Sequence, residues 1–263
     1  MNTTGAIRLS TNEFVSGLAL SGYSELASQV INDLQLIKNE KEVERFVKQT
    51  EQLLRQKGYL DDTRESSLVS GLENLIHLLV QSRKKVRCVD MKKKQVLFFH
   101  HIHQSKTLIQ HVKGNDHYFS FHDTESGFFQ MLCNYYGVSG DMETNSVEPI
   151  EVTDQLFDGL HQTDSEVLMQ MVRDQNLPAT MRLFVNDFLG HGQELSNISF
   201  LESHYTKDES VIDQVVFLLP SESFIWHIDY EKVEQHQIFF VPVSVHEYFS
   251  KIDETVRGFF HLS

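Results

Sequence analysis

Apolar side chains recur at intervals of three and four through residues 40 to 57. Val43, Phe46, Val47, Thr50, Leu53 and Leu54 form one stripe, and Glu42, Glu44, Arg45, Lys48, Glu51 and Arg55 occupy the other side. This spacing predicts an amphipathic helix with one packed and one solvated side, stopped at Gly58. Before it, Ile7-Arg-Leu-Ser-Thr predicts a short strand running into a helix. Ser10 or Thr11 would cap that helix, with Glu13 in its first turn and Phe14, Val15 and Leu18 on its apolar side. A further helix is expected over residues 24–36, and Leu68, Leu72, Leu75, Ile76 and Leu79 mark another.

From Lys85 the period changes from three or four to two. Val86–Cys88 and Val96–Phe98 flank the turn Met91-Lys-Lys-Lys94, and Lys113-Gly-Asn-Asp116 is a hairpin turn. Four antiparallel strands are therefore expected over residues 86–122. A helix follows over residues 125–136, then a loop over 137–152. Helices resume at 165–176 and 179–188, divided at Pro178. A second set of strands is expected at 196–205, 211–219, 223–229 and 235–243, with a closing helix from 244 to about 260. The fold class is thus α+β. Two β-meanders (86–122 and 196–243) stand in a pseudo-two-fold order and pair edge to edge into one antiparallel sheet, with helical bundles on one face. Residues 1–82 form a helical, winged-helix-like module, and residues 83–263 form the α+β body, compact with the first part.

Composition narrows the function. The chain has 263 residues, 40% of them hydrophobic, and only four prolines, which suits a folded body without proline-rich linkers. A net charge of −14 opposes broad attraction to nucleic acid or anionic membrane. The N-terminus lacks a signal-peptide pattern and no apolar run spans a bilayer, so a cytoplasmic protein is expected. Cys88 and Cys133 fall in a strand and a helix that read as buried, as reduced core thiols.

No spacing spells out a reaction, so no enzyme and no cofactor are expected. His100, His101, His103, His111, His117 and His122 crowd one meander, and three converging imidazoles would make a zinc or nickel site. Their spacings match no metal motif, so the expectation is a mixed or solvated sheet face and no metal. His227 and Asp229 share a strand side without a nucleophile beside them; Ser221 and Ser223 are turn residues. Asp61-Asp62 and the Glu148/Glu151 pair are assigned to turns. Trp226 is expected in the core.

The basic stretch Arg83-Lys-Lys-Val-Arg87 with Lys92–Lys94 is the dense positive patch of an acidic protein. It reads as a solvated turn or a protein-docking patch. A winged-helix regulator with a ligand-sensing domain is the alternative, and a His-rich metal-dependent enzyme is a further one.

Ile7-Arg-Leu-Ser-Thr-Asn-Glu-Phe14 and Leu53-Leu-Arg-Gln-Lys-Gly-Tyr-Leu-Asp-Asp62, followed by the leucine helix, the meander and the second set of strands, resemble the EspG family, the cytosolic chaperones of type VII (ESX) secretion. The Lys-, Asn-, Phe- and Ile-rich composition looks like that of a low-GC Gram-positive bacterium. The resemblance implies a non-catalytic chaperone or adaptor. Its partner would be a secreted helical-hairpin substrate of the WXG/LXG or PE/PPE-like kind, with neither nucleic acid nor membrane as partner. The meander loops at Lys92, Lys93, Lys94 and at Gln104, Ser105, Lys106 are the expected partner contacts.

Overall fold

The computed structural model describes residues 7–139, 147–204 and 209–262. The chain passes twice through the same order of elements. The first pass is strand β1 (Ile7–Ser10), helices α1 (Thr11–Leu20), α2 (Ser24–Asp33), α3 (Glu40–Gln56) and α4 (Ser70–Gln81), then the meander β2 (Lys84–Asp90), β3 (Gln95–His103), β4 (Lys106–Lys113) and β5 (Asp116–Asp123), then α5 (Phe129–Tyr136). The second is β6 (Ile150–Thr153), α6 (Asp154–Gln162), α7 (Ser165–Arg173) and α8 (Ala179–Gly190), then β7 (Ser196–His204), β8 (Glu209–Pro220), β9 (Phe224–Asp229) and β10 (Gln237–Ser244), then α9 (Val245–Phe260).

All ten strands join one antiparallel sheet in the order β1-β5-β4-β3-β2-β7-β8-β9-β10-β6. In each pass the first strand returns to cover the last strand of its own meander, β1 on β5 and β6 on β10. The meanders meet at β2 and β7, where Val86 faces Phe200 and Cys88 faces Ile198, all buried. Among the described residues the edge-to-edge pairing expected from the sequence thus leaves two outer edges, each formed by a four-residue strand.

Capping residues place the helices directly on the strand ends. The Ser10 hydroxyl accepts from the Glu13 amide, and Glu13 Oε2 accepts from the Ser10 amide at 2.6 Å, a reciprocal box that starts α1 as β1 ends. Thr153 caps α6 after β6 by accepting from the Leu156 amide, and Ser244 caps α9 after β10 by accepting from the Glu247 amide. Gly17 lets α1 approach α4, since a Cβ there would lie 2.6 Å from Ile76 Cδ1.

Strand alternation divides the core between two sheet faces. On one face Val86, Cys88, Leu97 and Phe99 pack under α5 and α9, against Phe128, Leu132, Phe249 and Phe260. On the other face two clusters stand apart. Leu9, Leu108 and Phe119 lie under the α1–α4 bundle, while Trp226, Ile228 and Phe240 lie under α6–α8 with Phe184 and Phe188. The two bundles share a face as expected, and α5 and α9 add a helical layer on the opposite one. Trp226 is wholly buried, and its indole N–H donates to Asp187 at 2.9 Å.

Four local expectations are corrected. Helix α5 begins at Phe129 rather than 125, because Gly127 at φ +67° ends a single 3₁₀ turn over residues 124–126. Residues 150–152 of the expected loop belong to β6, so Glu151 lies in a strand, where it accepts from Gln237 at 2.7 Å. The rest of that loop falls partly outside the described residues. No element was read from the sequence at 154–162, where α6 forms. Helix α3 packs on a narrow seam of Phe46, Thr50 and Leu54, leaving Val43, Val47 and Leu53 exposed, because it is an outer helix resting on α1.

Candidate functional site: an uncovered strip of the central sheet

Where the two bundles stand apart, part of their shared face is exposed among the described residues, along β8. Alternation along β2 sends Val86 and Cys88 under α5 and α9, and turns Lys85, Arg87 and Val89 to the bundle face. The register then sets Lys85 between His100 and Leu201, and Arg87 between Phe98 and Ser199. On the far side Leu201 faces Ile212 and Ser199 faces Val215. Ile212 and Val215 are 57% and 37% exposed, although β8 is an interior strand. The strip is an apolar floor carrying two cations, flanked by helices.

Among the described residues no carboxylate lies within ion-pair distance of Lys85 or Arg87. Arg87 reaches only the Ser199 hydroxyl, at 3.5 Å, and its Nε is buried without a partner. Burial lowers the pKa of Lys85, with no carboxylate to offset it. Both cations face a surface that an apolar and acidic partner would complement. Beside Lys85, under α1, α2 and α4, the strip deepens into a cavity of about 550 Å³.

The turns singled out in the sequence lie elsewhere. Lys92–Lys94 lie in the β2–β3 turn, whereas Gln104 and Ser105 form the β3–β4 turn and Lys106 opens β4, at opposite ends of the nine-residue strand β3, so the two sets are not brought together. Lys93 is held by Asp90 at 3.1 Å and by the Tyr135 carbonyl. Lys106 faces Asp123 at 3.8 Å, Ser105 bonds His103, and the Gln104 carbonyl accepts from Thr124. The signal for Lys85 and Arg87 was present, as two cations two residues apart on a strand whose other face is apolar. The sequence placed them in a basic run instead.

The six clustered histidines divide between the faces. His100 and His117 point to the bundle side and bond Gln110. On the other face His101 stacks on Phe260 at 5.1 Å, His111 bonds Gln95, and His122 bonds the Gly127 carbonyl. Among the described residues no three His, Cys, Asp or Glu side chains are grouped to hold a metal ion. His227 lies beside Tyr248, ring centroids 5.9 Å apart, and the Asp229 carboxylate caps the Glu231 amide. Asp61 and Asp62 accept from Thr63 and Arg55. Cys88 and Cys133 are buried and form no disulfide.

This arrangement is that of an α+β protein with a duplicated order of elements and a partly exposed sheet face. The chain matches no protein-family model, and no curated protein is similar to it in sequence. In structure it is similar to the Mycobacterium tuberculosis type VII secretion system chaperone EspG5, solved in complex with the PE25-PPE41 dimer. The TM-score is 0.56 at 10% identity, with 96% of each chain covered. At that identity the likeness is one of fold. Among the described residues no helix is long and apolar enough to cross a membrane.

Proposed function

We propose that this protein is a non-catalytic chaperone or adaptor acting in the cytoplasm. It binds a helical substrate of a type VII secretion system, of the PE/PPE-like or WXG/LXG kind, and keeps it soluble for export. The observation that carries this is the exposed strip along β8, with Ile212 and Val215 beside the unpaired cation Arg87. An apolar helix carrying a carboxylate covers the strip and pairs with Arg87. The turns at Lys92–Lys94 and Gln104–Lys106 serve as outer contacts at the two ends of β3. The fold likeness to a chaperone solved with a PE–PPE dimer supports the same role. A net charge of −14 keeps nucleic acid and anionic membrane from competing.

The test is co-purification of the full chain with the type VII substrates encoded beside it, followed by calorimetry. A stoichiometric complex is expected. Val215→Asp, on an exposed side chain, should abolish it while changing stability by about 1 kcal/mol or less. Absence of a complex with every such substrate, or a complex indifferent to Val215→Asp, overturns the proposal.

A further inference from the structure

We propose that the cavity between α1, α2, α4 and strands β2–β5 binds a single-chain aliphatic carboxylate. Its chain lies along Phe14, Leu26, Val30 and Phe98, and its headgroup sits at Lys85. This site goes beyond the docking of a protein substrate.

Three observations converge on it. The volume, about 550 Å³, falls within the roughly 300–1,000 Å³ of small-molecule sites, and the walls are predominantly apolar. Lys85 is the single lysine or arginine of the lining and has no carboxylate within ion-pair distance among the described residues. The third is a chain of polar side chains across the floor that holds no charge to offset Lys85. Gln110 Nε2 donates to His117 Nδ1 at 2.9 Å, so His117 carries its proton on Nε2 and donates to Thr11 Oγ1 at 3.1 Å. Gln110 Oε1 accepts from His100 Nε2–H at 3.0 Å, leaving His100 Nδ1 as a bare acceptor. That atom is buried without a partner in a side chain 5% exposed.

The chain is therefore neutral throughout, and it supplies no counter-charge to Lys85, which lies directly across from His100 on the neighbouring strand. A desolvated cation without a counter-charge at the end of an apolar cavity is an incomplete polar site. A carboxylate meets the cation with one negative charge. An aliphatic tail meets walls that offer it no further hydrogen bonds. A ligand of higher charge finds no second cation.

The test uses the full chain and dodecanoate below its micelle concentration, followed by calorimetry and native mass spectrometry. Dodecan-1-ol and dodecyltrimethylammonium serve as chain-matched controls. Saturable one-to-one binding of dodecanoate is expected, with the cationic control excluded. Lys85→Met should weaken dodecanoate about tenfold to a hundredfold, the scale of a charge-assisted hydrogen bond, and leave dodecan-1-ol within about twofold. Val30→Trp, at a half-buried position on α2, fills the cavity and should abolish both. Val215→Asp, outside the cavity, should leave dodecanoate binding intact, so the two proposals fail separately. Absence of saturable dodecanoate binding overturns the inference, as does equal affinity for the cationic control or indifference to Lys85→Met. Loss of substrate-protein capture in Val30→Trp without any dodecanoate binding overturns it too, assigning the cavity to the protein partner.

Discussion

Replacing Gln110 with Met should destabilise the protein by about 2–4 kcal/mol. Gln110 is buried and bridges two imidazoles, accepting from His100 and donating to His117. Met conserves the length and volume of the side chain, so little of the effect comes from a cavity. What it removes is the partner of His100 Nε2–H and of His117 Nδ1. His100 would then lack a partner on both ring nitrogens, since its Nδ1 already has none. Each buried polar group left unsatisfied costs about 1–3 kcal/mol, and apolar contacts of the Met side chain offset part of the total. For a chain of this size each kcal/mol lowers Tm by roughly 2–4 °C, so a drop of about 5–15 °C is expected. Urea unfolding at pH 7.5 reads the same loss as a lower midpoint at unchanged slope. Gln52→Met, on the exposed side of α3, is the control and should stay within about 0.5 kcal/mol. A loss below about 0.5 kcal/mol in Gln110→Met would refute the view that this chain of side chains holds the floor together.

Three further outcomes follow from the same structure. Burial depresses the pKa of His100 to about 3 and of His111 to about 4, and lowers those of His117 and His227. Between those values and the ordinary 6.5 the unfolded chain binds more protons, so stability falls as pH drops below about 6.5. His100 alone withdraws about 1.4 kcal/mol per pH unit within that window. Asp187, raised by burial, works in the opposite direction as a single group. The urea midpoint should be lower at pH 5 than at pH 7, and a flat profile would contradict the assignment. Phe200→Ala, at the joint of the two meanders where Phe200 packs edge-on against Phe259 at 5.4 Å, should cost about 3–5 kcal/mol, and a loss under about 1 kcal/mol would show that the joint repacks freely. Glu13→Ala, which removes the acceptor of the Ser10 amide and of Lys57 Nζ at 2.7 Å, should cost about 1–3 kcal/mol by urea midpoint; an unchanged midpoint would remove the capping box from the account of α1.

Much of the fold was legible because periodicity is local. Alternation from Lys85 onward marked the first meander to within a few residues, and the stop at Gly58 is realised there at φ +69°. Strand β6 is not legible in the sequence because four residues with two buried positions are too short to show a period. Helix α3 shows the opposite case, a clear amphipathic stripe of which only the inner part found a surface to cover.

By itself the sequence determined the kind and order of most of the elements, while the edge that joins the two meanders, β2 on β7, is a pairing of strands more than 100 residues apart. Kind and order follow from backbone preferences and from apolar spacing within a few residues of each position. It also determined, by parity along β3, that His100 and His101 point to opposite faces. Only the tertiary structure decided which side chains the helices leave uncovered. The exposure of Ile212 and Val215 and the isolation of Lys85 and Arg87 depend on two bundles, far apart in the chain, settling at the two ends of one sheet face. Desolvation is set by what packs across from a residue, and no stretch of the chain carries that information alone.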